Sequence, residues 1–85
     1  MTIYNSQIMT TKRELIEEKA IELLKSAPQG MRTSQLIKAI EDSLPDVQPK
    51  TINGTVWLLP ERRPEEVYKP GRGLFRHVSF REDIS

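Results

Sequence analysis

The stretch PKTINGTVWLLP, residues 49–60, decides which fold the chain can adopt. Pro49 suits the first position of a helix running from Lys50 to Leu59, and Pro60 would end that helix. The Asn53-Gly54 pair between β-branched residues is instead typical of a tight β-hairpin turn, and local propensity alone favours the hairpin. Pro49 leaves only about three residues for the first strand of such a hairpin. We therefore predict the helix and keep the turn as the alternative.

Two amphipathic helices are predicted upstream of this stretch. The first begins at Thr11-Lys12-Arg13-Glu14, which matches the capping box of a helix start, and it stops before Pro28. Thr33 is predicted to cap the second helix, and Pro45 ends it. Apolar residues at spacings of three and four form the buried stripes: Ile16, Ala20, Leu23, Leu24 and Ala27 in the first helix, and Leu36, Ile37, Ile40 and Leu44 in the second.

A loop rich in proline and charge, Pro60 to Pro64, follows the third helix. Glu66 to Lys69 and Leu74 to Phe80 are predicted as two strands. The turn Pro70-Gly71-Arg72-Gly73 joins them, because glycines permit the positive φ that a hairpin tip needs. Strict alternation puts Phe75 and His77 on the same side of the second strand. The predicted organisation is a flexible N-terminal arm (1–10), one domain (11–81) and a frayed tail (82–85).

Length and composition limit what the chain can do. Its 85 residues allow one domain, and a hydrophobic content of 36% supplies a modest core with little left to enclose a catalytic pocket. The absence of cysteine excludes disulfides and thiolate metal sites. No apolar run is long enough for a membrane span or a signal peptide. We expect a cytoplasmic protein, or a nuclear one in a eukaryote, without cofactor, membrane association or small-molecule substrate.

The net charge of +1 hides an uneven distribution. Residues 1–44 carry six basic and six acidic side chains, whereas the stretch from Asp46 to Arg81 carries seven basic against four acidic. The C-terminal half is therefore mildly basic and rich in arginine, which is a weak electrostatic indication of an anionic partner.

The predicted order of elements is helix, extended connector, helix, helix and hairpin, and it resembles the winged-helix variant of helix-turn-helix. The chain looks most similar to HARE-type modules and to winged helices attached to restriction enzymes. The likeness spans residues 12–80 and is carried by Leu23-Leu24, by Gly30 through Leu36 and by Gly71-Arg72-Gly73-Leu74-Phe75. It implies an α+β fold with three helices, a two-stranded wing, and Met31-Arg32 as a small third strand between helices one and two. The loop before the wing departs from the family pattern.

The resemblance implies that helix three enters the major groove of DNA and that the wing tip reaches the minor groove or the phosphates. Asparagine can form two hydrogen bonds with adenine, lysine at a helix start can meet a phosphate, and arginine at a thin hairpin tip suits a narrow minor groove. We predict a small regulator, or the DNA-reading part of a larger system, that acts on double-stranded DNA. The predicted DNA-binding residues are Lys50, Thr51, Asn53, Gly54, Trp57, Arg62, Arg63, Lys69, Arg72 and Arg76.

Other interpretations stay open at this point. Trp57 and Leu58 would form an apolar docking patch if the domain binds a protein partner or a second copy of itself. Arg62-Arg63 is equally well explained as a pair of ionic partners for Glu65-Glu66. Binding of RNA through aromatic side chains is a third hypothesis, weakened by an aromatic content of only 6%.

An enzyme is the class that the sequence supports least. His77 is the only histidine, and no second histidine, cysteine or carboxylate cluster completes a metal site or a catalytic triad with it. Glu14, Glu17, Glu18 and Glu22 are expected to form a solvated helix face. We predict no catalytic residue and no metal-binding residue.

Overall fold

A computed structural model describes residues 11–81 of the 85-residue chain. The predicted arm (1–10) and tail (82–85) lie outside the described residues. The α+β class is confirmed, because helices and an antiparallel sheet share one core. The described elements are α1 (Lys12–Lys25), β1 (Met31–Arg32), α2 (Thr33–Ser43), α3 (Pro49–Trp57), α4 (Leu59–Arg62), β2 (Val67–Gly71), β3 (Leu74–His77) and a 3-10 turn (Val78–Phe80).

The capping box predicted at the start of α1 is present. The Thr11 hydroxyl accepts a hydrogen bond from the backbone N–H of Glu14 (3.1 Å), and the Glu14 carboxylate accepts one from the N–H of Thr11 (3.1 Å). These bonds satisfy N–H groups that have no partner inside a helix. The apolar stripe predicted for α1 faces the core from Ile16 to Leu24, whereas Ala27 lies beyond the helix, which ends at Lys25.

The start of α2 differs from the prediction, because Thr33 is the first residue of the helix and not its cap. Its backbone N–H donates to the carbonyl of Gly73 (3.0 Å), at the tip of the β2–β3 hairpin. The side chain of Gln35 accepts a hydrogen bond from the N–H of Arg32 (3.0 Å), which replaces the predicted threonine cap. The apolar stripe predicted for α2 lies against the core.

The stretch 49–60 forms α3 and the start of α4, on either side of Leu58, and does not form the hairpin turn. Pro49 lies in the first turn of α3, and Ile52 and Val56 are fully buried on one side of that helix. The helical period places both side chains against the core, whereas a turn at Asn53-Gly54 would place them in two short strands. Burial of this apolar pair therefore outweighs the local preference of the dipeptide.

Pro60 does not end the helical segment, contrary to the prediction. α3 ends at Trp57, and Leu59 begins α4, so the first part of the predicted Pro60–Pro64 loop is helical. A proline is tolerated in the first turn of a helix because the N–H that it lacks would have no partner there. Leu59 is fully buried, which holds α4 against the core.

β3 is the central strand of the sheet, whose order is β1-β3-β2, and both pairings are antiparallel. Met31 lies opposite Phe75, which confirms a short third strand between the first two helices. The register of β2 shifts between Tyr68 and Gly71. This bulge accommodates Pro70, which cannot donate a hydrogen bond to a neighbouring strand.

β3 is shorter than predicted and ends at His77 rather than at Phe80. The Nδ1 atom of His77 accepts a hydrogen bond from the backbone N–H of Ser79 (3.0 Å), so the chain turns into the 3-10 segment. Within the strand the predicted alternation is confirmed, since Phe75 and His77 are both buried.

The core lies between the helices and one face of the sheet. The largest of its fully buried side chains is that of Phe75, on the central strand. Its members are Ile16, Ala20, Ile21, Leu24, Leu36, Ile40, Val47, Ile52, Val56, Leu59, Val67 and Phe75. Among residues 11–81, no helix is long and apolar enough to cross a membrane.

Gly30 lies where the connector between α1 and β1 passes closest to β3. Its φ is +87°, and a Cβ atom on it would lie 2.6 Å from the carbonyl oxygen of Phe75 and 3.3 Å from the Cβ of Arg76. Glycine alone tolerates both this left-handed backbone and the lack of space.

We predict that Gly30→Ala lowers the free energy of unfolding by about 2 kcal/mol or more, because alanine meets both a strained φ and a backbone oxygen. Urea unfolding followed by far-UV circular dichroism measures the change. Gly54→Ala is the matched control, since Gly54 is exposed within α3 and a Cβ there meets nothing within 4 Å. Alanine has the higher helix propensity, so the control should gain about 0.5–1 kcal/mol. A Gly30→Ala variant as stable as the wild type would contradict the close approach of Gly30 to the Phe75 carbonyl.

Candidate nucleic-acid interface

One face of α3 is exposed from the first turn of the helix to the last. It is the face predicted from the sequence, opposite the buried Ile52 and Val56. It presents a cation, an amide and an aromatic ring, with a glycine between them. Its residues are Lys50, Asn53, Gly54 and Trp57, with the partly buried Thr51 at the border.

The indole of Trp57 joins this face to the β2–β3 hairpin. Its ring packs edge to face on Phe75, with centroids 6.2 Å apart and an interplanar angle of 80°. The Lys69 ammonium of β2 lies 5.8 Å from the centroid of the Trp57 ring and 6.0 Å from that of Phe75. A cation at this distance from a ring face is attracted by the ring quadrupole. The indole is still 49% exposed, so it is available for a partner.

A groove of about 390 Å³ runs between α3, the start of α2 and the hairpin tip. We call it the tip groove. The Thr33 hydroxyl beside it is buried and has no hydrogen-bond partner among the described residues. Its lining residues are Arg32, Thr33, Ser34, Ile37, Asn53, Trp57 and Gly73. Two elements far apart in sequence, α3 and the hairpin tip, therefore border one depression.

The tip groove includes two polar residues that sequence analysis missed. Arg32 and Ser34 flank the first residue of α2 and are exposed. The predicted strand at Met31-Arg32 was the one available signal, since that strand had to pair with the hairpin. Helix N-termini attract anions, so this position suits a negatively charged ligand.

Most of the predicted DNA-binding residues come together around α3. Asn53 and Trp57 border the tip groove, and Arg72 is the exposed neighbour of its lining residue Gly73. Lys69 reaches the same region through its contact with Trp57. Lys50, Thr51 and Gly54 line a second groove, on the other side of the exposed face.

Arg76 is not part of this surface. It pairs with Tyr68 in the sheet and therefore lies on the opposite side of β3 from the buried Phe75. Its Nε donates a hydrogen bond to the carbonyl of Pro28 (2.7 Å), and an Nη donates one to the Tyr68 hydroxyl (3.2 Å). The Arg76 guanidinium thus connects the segment before β1 to the sheet through these two hydrogen bonds.

Glu17 is buried, which contradicts the expectation that it belongs to a solvated helix face. Its two carboxylate oxygens accept hydrogen bonds from the Nε atoms of Arg62 (2.5 Å) and Arg63 (3.0 Å). A carboxylate is stable in a buried position only when such partners are present. Glu18 and Glu22 are exposed as expected.

These contacts also show that the alternative predicted for Arg62 and Arg63, pairing with Glu65-Glu66, is wrong. Arg62 and Arg63 form ion pairs with Glu17 on α1 and not with Glu65-Glu66. Glu66 instead forms a hydrogen bond with the ring of His77. Because the arginine side chains are still 42% and 28% exposed, their remaining N–H groups can reach a ligand.

His77 is buried, and both of its ring nitrogens form hydrogen bonds within the protein. Nδ1 accepts the N–H of Ser79, so Nε2 carries the ring proton and donates it to the Glu66 carboxylate at 2.9 Å. The ring is buried and packs edge to face with Phe80 at 6.5 Å. Within residues 11–81, no group of three or more histidine, cysteine or acidic side chains is placed to hold a metal ion.

Comparisons with protein-family models, with curated proteins and with solved structures find no match for this chain. The chemistry of the surface around α3 is therefore what bears on function.

We predict that Glu17→Gln lowers the free energy of unfolding by about 1–3 kcal/mol, because a neutral amide loses two charge-assisted hydrogen bonds. The double variant Arg62→Ala/Arg63→Ala leaves the buried carboxylate without either guanidinium and should cost more, about 3–5 kcal/mol. Urea unfolding of the three proteins measures the difference. A double variant that is no less stable than Glu17→Gln would show that the carboxylate does not depend on these arginines.

Proposed function

We propose that this chain is a winged-helix domain that binds double-stranded DNA, with α3 in the major groove and the β2–β3 hairpin as the wing. The observation that carries the proposal is the tip groove, where an exposed polar helix face and an arginine-bearing hairpin tip adjoin. The element order agrees with the one that the resemblance implies except for the added short helix α4, and Met31-Arg32 pairs with the hairpin as the third strand. The domain would act as a small regulator or as the DNA-reading part of a larger system.

The dimensions and side chains of α3 support this proposal. An α-helix about 10–12 Å in diameter fits a major groove roughly 12 Å wide. Asn53 is exposed in mid-helix, where its amide can form two hydrogen bonds with an adenine edge. A Cβ at Gly54 would meet nothing within 4 Å, so the helix has no side chain there to hold it away from the bases.

The hairpin tip supports a second contact. The turn at Arg72-Gly73 is tight, since Gly73 has a φ of +69°, and its carbonyl is held by the N–H of Thr33 at 3.0 Å. Arg72 is exposed at this anchored position. An arginine on such a narrow support can enter a minor groove, where the negative potential is concentrated, or meet the phosphates beside it.

The low net charge limits the affinity of this chain for DNA. A chain with a net charge of +1 should bind random DNA weakly, with a Kd on the order of 10⁻⁴ to 10⁻⁶ M at physiological salt. A single module of this kind buries roughly 600–1,000 Å² on DNA. Tight binding therefore requires a preferred sequence, a dimer or a fused partner.

A protein-interaction module is the second candidate, and one observation favours it. Trp57 and Leu58 are 49% and 42% exposed and adjacent in sequence, which is the composition of an apolar docking patch. Salt separates the two candidates, because a phosphate contact weakens steeply with ionic strength and an apolar contact does not.

Fluorescence anisotropy of a labelled random-sequence duplex, titrated at about 50 and 200 mM salt, tests the proposal. We expect the affinity to fall tenfold or more between these salt concentrations, as several phosphate contacts require. Absence of binding at low salt, up to the highest soluble protein concentration, would contradict DNA binding and favour the protein-interaction candidate.

Arg72→Ala should weaken duplex binding and reduce the slope of log K against log salt by about one, because one phosphate or minor-groove contact is lost. The melting temperature should not fall, since the side chain is exposed. Lys38→Ala is the control, because this substitution also removes one positive charge and Lys38 is exposed on α2 outside the tip groove. Equal losses in both variants would remove the hairpin tip from the interface.

Asn53→Ala should alter sequence preference more than overall affinity, because the amide contacts base edges and not phosphates. Selection of preferred sites from a random duplex pool, carried out with wild type and variant, measures the change. A uniform loss of affinity across unrelated duplexes would contradict base recognition by Asn53.

A further inference from the structure

We propose that DNA is also held on the side of α3 away from the tip groove, by a basic groove that receives the phosphates of one strand. The basic groove consists of two hollows of about 260 and 580 Å³ that share Arg13 and Thr51 in their lining. Its four cationic side chains come from three helices: Lys12, Arg13, Lys50 and Arg62. The inference rests on the proposed function and extends it to α1.

Most of the positive charge of this groove is not neutralised within residues 11–81, since Arg62 alone of its four cations forms an ion pair, with Glu17. The groove's one acidic lining residue within 11–81 is Glu14, whose carboxylate accepts the N–H of Thr11 in the capping box at 3.1 Å. Among residues 11–81, the ion pairs leave Lys12, Arg13 and Lys50 without a carboxylate. A groove with this composition attracts an anionic ligand that carries several charges.

The position of two of these cations is unfavourable for folding. Lys12 and Arg13 are the first two residues of α1, where the helix dipole is positive and repels a positive side chain. Charges that oppose folding are typical of residues kept for binding. A phosphate in the groove would meet both cations and the favourable end of the dipole.

Arg62 is oriented towards the same ligand by the core. Glu17 holds its Nε at 2.5 Å, while the side chain remains 42% exposed at the edge of the groove. The Nη groups of Arg62 have no hydrogen bond among the described residues. A guanidinium fixed at one end loses little conformational freedom when it binds a phosphate.

The arrangement of the two grooves fits a strand of DNA better than an isolated anion. Asn53 and Trp57 border the tip groove, whereas Lys50, Gly54 and Leu58 border the basic groove, so the exposed face of α3 lies between them. A helix in the major groove has a sugar-phosphate backbone on each side. The wing tip would meet one backbone and the basic groove the other.

The experiment compares wild type with Lys12→Gln/Arg13→Gln in the anisotropy titration of the random-sequence duplex. Each lost phosphate contact should reduce the salt-induced fall in affinity between 50 and 200 mM by roughly threefold, so the double variant should show a several-fold smaller fall. The melting temperature should be equal to that of wild type or higher, because two charges that oppose the dipole are removed.

Two controls separate charge from structure. Lys25→Gln removes a cation from the other end of the same helix, about 18 Å from Arg13 at 1.5 Å per residue, and should leave the salt dependence unchanged. Arg13→Lys keeps the charge and should keep the slope.

The outcomes distinguish this inference from the proposed function. Wild type that does not bind duplex at low salt overturns both. Wild type that binds with a steep salt dependence, together with a double variant of the same affinity and slope, overturns the basic groove alone. The basic groove is also overturned if Lys25→Gln reduces the salt dependence of binding as much as the double variant does. Net charge rather than the groove would then be responsible.

Discussion

The pairing of β3 with strands on both of its sides is the constraint on which the rest of the structure depends. β3 carries Phe75 into the core and accepts β1 as its second partner, so the hairpin cannot move independently of the helices. The close approach at Gly30 and the hydrogen bond from Thr33 to the Gly73 carbonyl (3.0 Å) both depend on this pairing. Together they place the hairpin tip beside the start of α2 and the exposed face of α3.

A second constraint acts on the other side of α3. Glu17 fastens the segment after α3 to α1 through two arginines that lie 45 and 46 residues away in sequence. This contact closes the edge of the core with polar groups, which suits a chain whose hydrophobic content is only 36%. It also places cations from α1, α3 and α4 along one groove.

These constraints explain how a chain of net charge +1 could bind an anionic partner. Cationic side chains lie around α3, although residues 1–44 contain equal numbers of basic and acidic side chains. Arg13 is sequence-distant from Lys50 and yet lines a common hollow with it. The proposed DNA-binding surface is therefore a product of tertiary packing and not of a basic segment.

Features that depend on a few neighbouring residues could be predicted from the sequence. The capping box at Thr11 and Glu14, the apolar stripes and the alternation of Phe75 and His77 all follow from local periodicity. Residues 49–60 required a choice between two local signals, and the spacing of Ile52 and Val56 favoured the correct one. The short strand at Met31-Arg32 was implied by the resemblance to winged helices.

Features that depend on distant contacts could not be predicted. The burial of Glu17 requires the position of Arg62 and Arg63 after the chain has folded, and its sequence neighbours suggest a solvated face. The end of β3 depends on the His77 ring accepting the N–H of Ser79. The groove positions of Arg13 and Arg32 likewise follow from packing, since neither belongs to the basic C-terminal half.

The measurement that tests the central claim most directly is a two-dimensional ¹H–¹⁵N NMR titration of the labelled protein with a short duplex at low salt. DNA binding through α3 and the hairpin predicts that the amide signals of Asn53, Gly54, Arg72 and Gly73 shift most. The signals of Lys38 and Asp42, exposed on α2 outside the tip groove, should change little. A set of shifts centred elsewhere, or no shifts with duplex in excess, would contradict the account.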